Sequence, residues 1–186
     1  MGVLVAACVV QGLRADAGSV GVTAIDKRAV EGPVRVRPLG LHADVQASRK
    51  HHGGLDKALY VYSADDAAYW ESELGRPLSA GWFGENLRVS GIDVSGARLG
   101  ERWRIGATVV VEVTTPRTPC QTFARWVGGA DERGWVKRFA AAARPGAYLR
   151  VVTPGSIEAG DEIEVVSVPE DAPTIVQVFT GEAALV

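Results

Sequence analysis

The stretch Arg102-Trp103-Arg104-Ile105-Gly106-Ala107-Thr108-Val109-Val110-Val111-Glu112-Val113-Thr114 decides the fold. Its first four residues alternate cationic with apolar, the period of a strand with one wet face. Ile105-Gly106-Ala107 supplies turn residues of the kind found between antiparallel neighbours. The β-branched run that follows makes a second strand. Working outward, strand signals recur at Val3–Val10, Val20–Ile25, Pro33–Arg37, Ala58–Tyr62, Ala147–Val152 and Glu162–Val168, most of them short and separated by Gly-rich turns such as Ala159-Gly160-Asp161. Many short strands with such turns predict a mainly β protein, a closed or partly closed barrel rather than a doubly wound sheet.

Two helices interrupt this pattern. Ser63 is placed to N-cap Ala64–Leu74, with Asp66 in the first turn and Gly75 at the exit. Ala130–Ala143 carries Trp135, Val136, Phe139 and Ala143 at helical spacing and ends at Arg144-Pro145-Gly146. A third, short amphipathic segment is predicted over Pro173–Phe179.

The 186 residues suit one well-buried domain spanning 1–186, with its core at about 25–168 and a short C-terminal extension at 169–186. With 47% hydrophobic and 23% charged residues, neither disorder nor a membrane span is indicated. The apolar run Val3–Val10 lacks a basic flank and is too short to cross a bilayer, so it reads as the first strand. A formal charge of −2 argues against wholesale nucleic-acid binding, although Arg35, Arg37, Arg49 and Lys50 form local basic runs that suit a small anion. Small-molecule partners are expected. The two cysteines, Cys8 and Cys120, lie far apart in different settings, which fits a reducing compartment, the cytoplasm, better than a disulfide framework. Cys8, inside the first strand, reads as a core residue.

Cys120 differs. It ends the run Thr115-Pro116-Arg117-Thr118-Pro119-Cys120, directly after the long strand. Proline fixes its own φ and restricts the residue before it, so Pro116 and Pro119 hold Arg117 and Cys120 in a loop of low entropy. A guanidinium near the thiol favours the thiolate, which serves as nucleophile or as soft-metal ligand. Both roles are open on the residues alone, beside burial as a small hydrophobe. His51-His52-Gly53-Gly54 forms a tight turn whose glycines let the backbone approach a ligand. The adjacent histidines point opposite ways in extended chain and lack a CxxC or HxxxH partner, which speaks against a zinc pair. Asn86 can donate and accept, and both it and Glu85 suit stabilisation of the Gly84 turn. Trp82 and Phe83 suit a pocket wall or the core.

Taken in order, Lys50-His51-His52-Gly53-Gly54-Leu55-Asp56-Lys57-Ala58, Tyr60-Val61-Tyr62, Trp70, Gly81-Trp82-Phe83-Gly84-Glu85-Asn86-Leu87, Gly100-Glu101-Arg102-Trp103-Arg104-Ile105-Gly106 and Pro116-Arg117-Thr118-Pro119-Cys120 closely resemble the MOSC family. That domain is named for the C-terminal part of molybdenum-cofactor sulfurases, and the likeness is to its small free-standing bacterial branch, from about Ile25 to Val168. The resemblance implies a barrel of the MOSC and pyruvate-kinase β-barrel type, a pocket for the molybdenum cofactor, and Cys120 as molybdenum ligand or sulfur carrier, with Arg117 in the same loop. In such a pocket Lys50, His51, His52, Gly53, Lys57, Asn86 and Arg117 are the expected cofactor-binding residues, with Asp56 orienting a neighbouring cation; the alternative for the 50–57 run is a solvated basic turn. The activity so implied is reduction of N-hydroxylated or other N-oxygenated small molecules with electrons from a reductase partner. The alternative is sulfur transfer through a Cys120 persulfide supplied by a cysteine desulfurase. The aminotransferase-like domain of full sulfurases has no counterpart in the sequence, so no pyridoxal phosphate is expected on this chain alone.

Overall fold

The computed structural model describes residues 1–45, 53–128 and 134–185. In chain order these form β1 (Gly2–Val10), β2 (Arg14–Ala15), β3 (Val22–Thr23), β4 (Lys27–Ala29), β5 (Val34–Arg37), β6 (Gly40–Leu41), a 3-10 turn (Leu55–Lys57), β7 (Leu59–Ser63), α1 (Ala64–Leu74), β8 (Leu87–Ser90), β9 (Arg102–Ile105), β10 (Val109–Pro116), α2 (Gln121–Gly128), α3 (Trp135–Ala142), β11 (Ala147–Thr153), β12 (Gly155–Ile157), β13 (Glu162–Ser167) and α4 (Ile175–Thr180).

Seven strands close into a barrel in the order β1-β8-β7-β11-β10-β9-β13, with β13 returning to β1. Closure removes the unpaired edges that an open sheet would expose. An odd number of strands cannot alternate direction all the way round, so one neighbouring pair must run parallel. That pair is β7 and β8, and α1 makes the crossover between them. The capping of α1 is as the sequence indicates: the Ser63 hydroxyl accepts from the Asp65 and Asp66 amides, and Gly75 ends the helix in the left-handed region. The β9–β10 turn also forms, pairing Ile105 with Val109.

Strand periodicity sorts the side chains into two cores. Along β7, Leu59 and Val61 point into the barrel with Leu4, Trp103, Val111 and Leu149. Tyr60 and Tyr62 point outward, where α1, α2 and α3 cover them with Trp70, Phe123, Trp135 and Phe139. β11 divides the same way, Leu149 inward and Tyr148 outward. Every residue of β7 is therefore buried, on either face. The outer core is aromatic: Phe83 stacks on Tyr62 with centroids 4.1 Å apart, and Phe123 meets Phe139 edge-on at 5.2 Å.

Several expectations are corrected. The run 121–128, not anticipated as a helix, forms α2, because Phe123 and Val127 at i,i+4 spacing both bury against the outer core. The helix predicted over 130–143 is Trp135–Ala142, and residues 129–133 lie outside the described residues. The strand predicted over Val20–Ile25 is only Val22–Thr23, paired with β2 in a small hairpin. Leu87–Ser90, read only as the tail of a turn, is a barrel strand. The C-terminal helix covers Ile175–Thr180 behind a capping box of Thr174 and Gln177.

Candidate functional site

Strand β10 ends at Pro116, which pairs with Ala147 of β11, and the chain then runs irregularly to Cys120. The Cys120 carbonyl accepts from the Ala124 amide at 3.0 Å, so Cys120 occupies the N-cap position of α2. A strand end and a helix start thus fix the thiol from both sides. Unpaired amide groups and the helix dipole give that end a positive potential.

Cys120 is half-buried and lines a cavity of about 390 Å³ on the outer face of the barrel, within the range of small-molecule sites. Tyr60 and Tyr148, the outward tyrosines of β7 and β11, line it too, together with Arg117. The Arg117 guanidinium is only 6% exposed and lies 5.0 Å from the Tyr60 ring centroid and 4.7 Å from that of Phe123. It also bonds to the Tyr148 side chain. Its Nη1 is buried without a hydrogen-bond partner among the described residues. A buried orphan donor on a cation is costly, and an anionic ligand atom is the group that would satisfy it.

Of the other expected site residues, Lys57 ends the 3-10 turn, lines the cavity, and sits over the Tyr148 ring at 5.6 Å. Gly54, at φ 90°, turns the chain into that element, and Gly53 precedes it without lining the cavity. Asp56 faces the other way, its carboxylate taking Arg150 Nε at 2.8 Å, which clamps the turn onto β11. Asn86 lines the cavity, but its amide is engaged elsewhere: Oδ1 accepts from the Tyr60 amide at 3.1 Å, and Nδ2 donates to the Cys8 carbonyl and to Asp44 Oδ2 at 2.8 Å. Its visible work is to tie β1, β7 and the Asp44 loop together. Glu85 is fully buried, accepting from the Gly81 and Phe83 amides at 2.7 and 2.9 Å and from Arg88 Nε at 2.9 Å. Phe83 is fully buried in the outer core beside Trp82, and neither lines the cavity. Lys50, His51 and His52, with Arg49, lie outside the described residues. Cys8 is a core residue, its thiol pushed up to about 12 by burial, with the Glu85 carboxylate adding to the shift.

Two groups of lining residues had no site role in the sequence reading. Lys27 is buried against Asp44, and burial pulls its ammonium below the usual lysine range while the Asp44 carboxylate opposes that shift. The hairpin of β2 and β3 contributes Asp16, Gly18, Ser19, Val20, Val22 and Thr23. The alternation in Tyr60-Val61-Tyr62 could have flagged the outward tyrosines, but no local signal marks the hairpin as a cavity wall. Among the described residues, no group of three or more His, Cys, Asp or Glu could hold a metal ion, and no helix is long and apolar enough to cross a membrane.

Fold and site together define a closed-barrel protein that offers the thiol of a helix N-cap residue and a buried guanidinium to a cavity on its outer wall. The chain belongs to the MOSC domain family, which residues 48–164 match. It is 35% identical over 145 residues to the uncharacterized protein YflK of Bacillus subtilis, a match covering 78% of this chain and 64% of YflK. It is 29% identical over 153 residues to a protein named "Reductase" from Gibberella moniliformis, covering 79% of this chain and 26% of that protein. The crystal structure of YiiM from Geobacillus stearothermophilus superposes with a TM-score of 0.77 at 28% identity, covering 98% of this chain and 85% of YiiM. The chain therefore spans less than two thirds of the length of these two sequence relatives.

Proposed function

We propose that the cavity binds a molybdenum–pterin cofactor and that the protein reduces N-oxygenated small molecules, drawing electrons from a reductase partner. The observation that carries this reading is the convergence of Cys120 and the unpartnered Nη1 of Arg117 on one cavity. The donor set suits such a group. Among the described residues no cluster of protein ligands accompanies Cys120, which fits a metal that brings its other ligands with it, and thiolate is a soft donor suited to a sulfur-rich centre. Arg117 and Lys57 would meet the anionic parts of the cofactor through charge-assisted hydrogen bonds. Cys120 would hold the metal, and the rings of Tyr60 and Tyr148 would keep water from one side of it. The bound group supplies the two-electron redox chemistry, while the protein binds, orients and tunes it. The relative named as a reductase adds support.

Metal and pterin analysis of protein from a molybdenum-replete host tests the proposal. Molybdenum and pterin should co-purify with the wild type, and molybdenum should be lost in Cys120→Ala. Absence of both from the wild type overturns it. Incubation with a cysteine desulfurase and cysteine, read by intact mass, separates the sulfur-transfer alternative: an added sulfur on Cys120 in metal-free protein would favour that reading instead.

A further inference from the structure

One wall of the cavity is the hairpin 14–23, which lies outside the segment matched to the family. Two sets of contacts hold it. At its base, Arg14 Nε donates to Asp26 Oδ2 at 2.7 Å, and the guanidinium lies 5.1 Å from the Trp126 ring centroid. At its tip, Asp16 accepts from Arg125 Nε and Nη2, each at 2.7 Å, and from the Thr122 hydroxyl at 3.0 Å. Trp126, Thr122 and Arg125 all belong to α2, the helix that Cys120 caps. The tip sits close on that helix: a Cβ on Gly18 would lie 3.2 Å from Arg125 Nη2 and 2.7 Å from Asp16 Oδ2.

Held there, the hairpin presents Val20 and Val22 to the cavity, beside the hydroxyls of Ser19 and Thr23. Val20 is 50% and Val22 41% exposed, so each has apolar surface left for a ligand to cover. The barrel side of the same cavity carries the cations Arg117, Lys57 and Lys27. The cavity is thus cationic toward the barrel, while the hairpin adds the apolar surface of Val20 and Val22 among the polar side chains of Asp16, Ser19 and Thr23. A ligand filling it gains most by placing polar or anionic atoms on the barrel side and hydrocarbon or an aromatic ring against the valines.

We propose that hairpin 14–23 is the specificity wall of the Cys120 cavity, latched by Asp16 to the helix that carries the thiol, and that Val20 and Val22 select substrates with an apolar body. The proposal rests on the Cys120 cavity being the substrate site of the function proposed above, but its test needs no cofactor. Cys8 is fully buried, so alkylation of the folded protein reports Cys120.

Protein made in a host that lacks the pterin cofactor is reacted with N-phenylmaleimide and with N-(2-hydroxyethyl)maleimide, which share one electrophile and differ in their tails. The ratio of the two rate constants, divided by the same ratio for glutathione, reads the wall. It should exceed unity by about fivefold, the scale expected for covering part of a phenyl ring. In the Val20→Ser, Val22→Ser double variant it should fall to the glutathione value, and Asp16→Asn, which weakens the latch by removing its charge, should lower it while speeding reaction with a polymer-linked maleimide. A wild-type ratio equal to that of glutathione, or a preference that survives the double serine variant, overturns the proposal. A wall preference in a protein that never acquires molybdenum from a replete host would leave this inference standing and sink the cofactor.

Discussion

Asp16 and Arg125, 109 residues apart in sequence, are joined by two hydrogen bonds of 2.7 Å each in a forked ion pair. The pair brings a short exposed hairpin against the first turns of the helix that Cys120 caps, and so turns a groove beside the barrel into a walled cavity. Arg125, helped by the Thr122 hydroxyl and the Gly18 amide, holds the Asp16 carboxyl down at about 2. A carboxyl depressed in the folded state contributes stability above its ordinary value of 3.8 and loses it as pH falls toward 2. Asp16→Asn should therefore be less stable than wild type at neutral pH, and the gap should close between about pH 4 and pH 2. Denaturant titrations followed by tryptophan fluorescence across that range check this; a constant gap would show that the pair is not what the carboxylate contributes.

The thiols should count unequally. With Cys8 inaccessible and its thiol pushed up to about 12, a disulfide reagent added to native protein should release one equivalent of thiolate, and two after unfolding. Cys120→Ser should abolish the native signal and leave one equivalent in denaturant.

Arg117→Met should separate stability from binding. The substitution gives up the cation–π contacts with Tyr60 and Phe123 but also removes a buried, orphaned donor, each worth about 1–3 kcal/mol. Because these oppose each other and methionine keeps much of the volume, the folding free energy should change by less than about 2 kcal/mol. Cofactor retention, read as pterin released on denaturation, should drop at least tenfold, the scale of one lost charge-assisted bond.

Glu85→Ala should be among the most damaging single changes. It strips the Gly81 and Phe83 amides of their acceptor and leaves the Arg88 guanidinium buried without its carboxylate. A loss of about 3–5 kcal/mol is expected from chemical denaturation. Adding Arg88→Met should recover part of that loss, because the stranded charge is then gone. If the double variant is no more stable than the single one, the damage lies in the unsatisfied amides.

The sequence by itself determined the barrel and its thiol. Period-two runs, Gly turns and the Ser63 cap are local signals, and each is set by residues within a few positions of one another. The strands at 102–105, 109–116 and 147–153 and helix 64–74 form where those signals stand. The Pro-framed loop likewise delivers Cys120 to a cavity edge. Local signals also misled. The residues of 121–128 have no strong helix propensity, and that segment became a helix because Phe123 and Val127 had an aromatic core to bury against. Tertiary structure alone decided which polar groups serve the cavity and which serve the frame. Asn86 lines the cavity, and strand closure engages its amide with Tyr60, Cys8 and Asp44. Asp16 carries no local signal of its role, which exists only because folding sets Arg125 opposite it. Such pairings depend on which distant segments barrel closure brings side by side, and no pattern within a few residues records that.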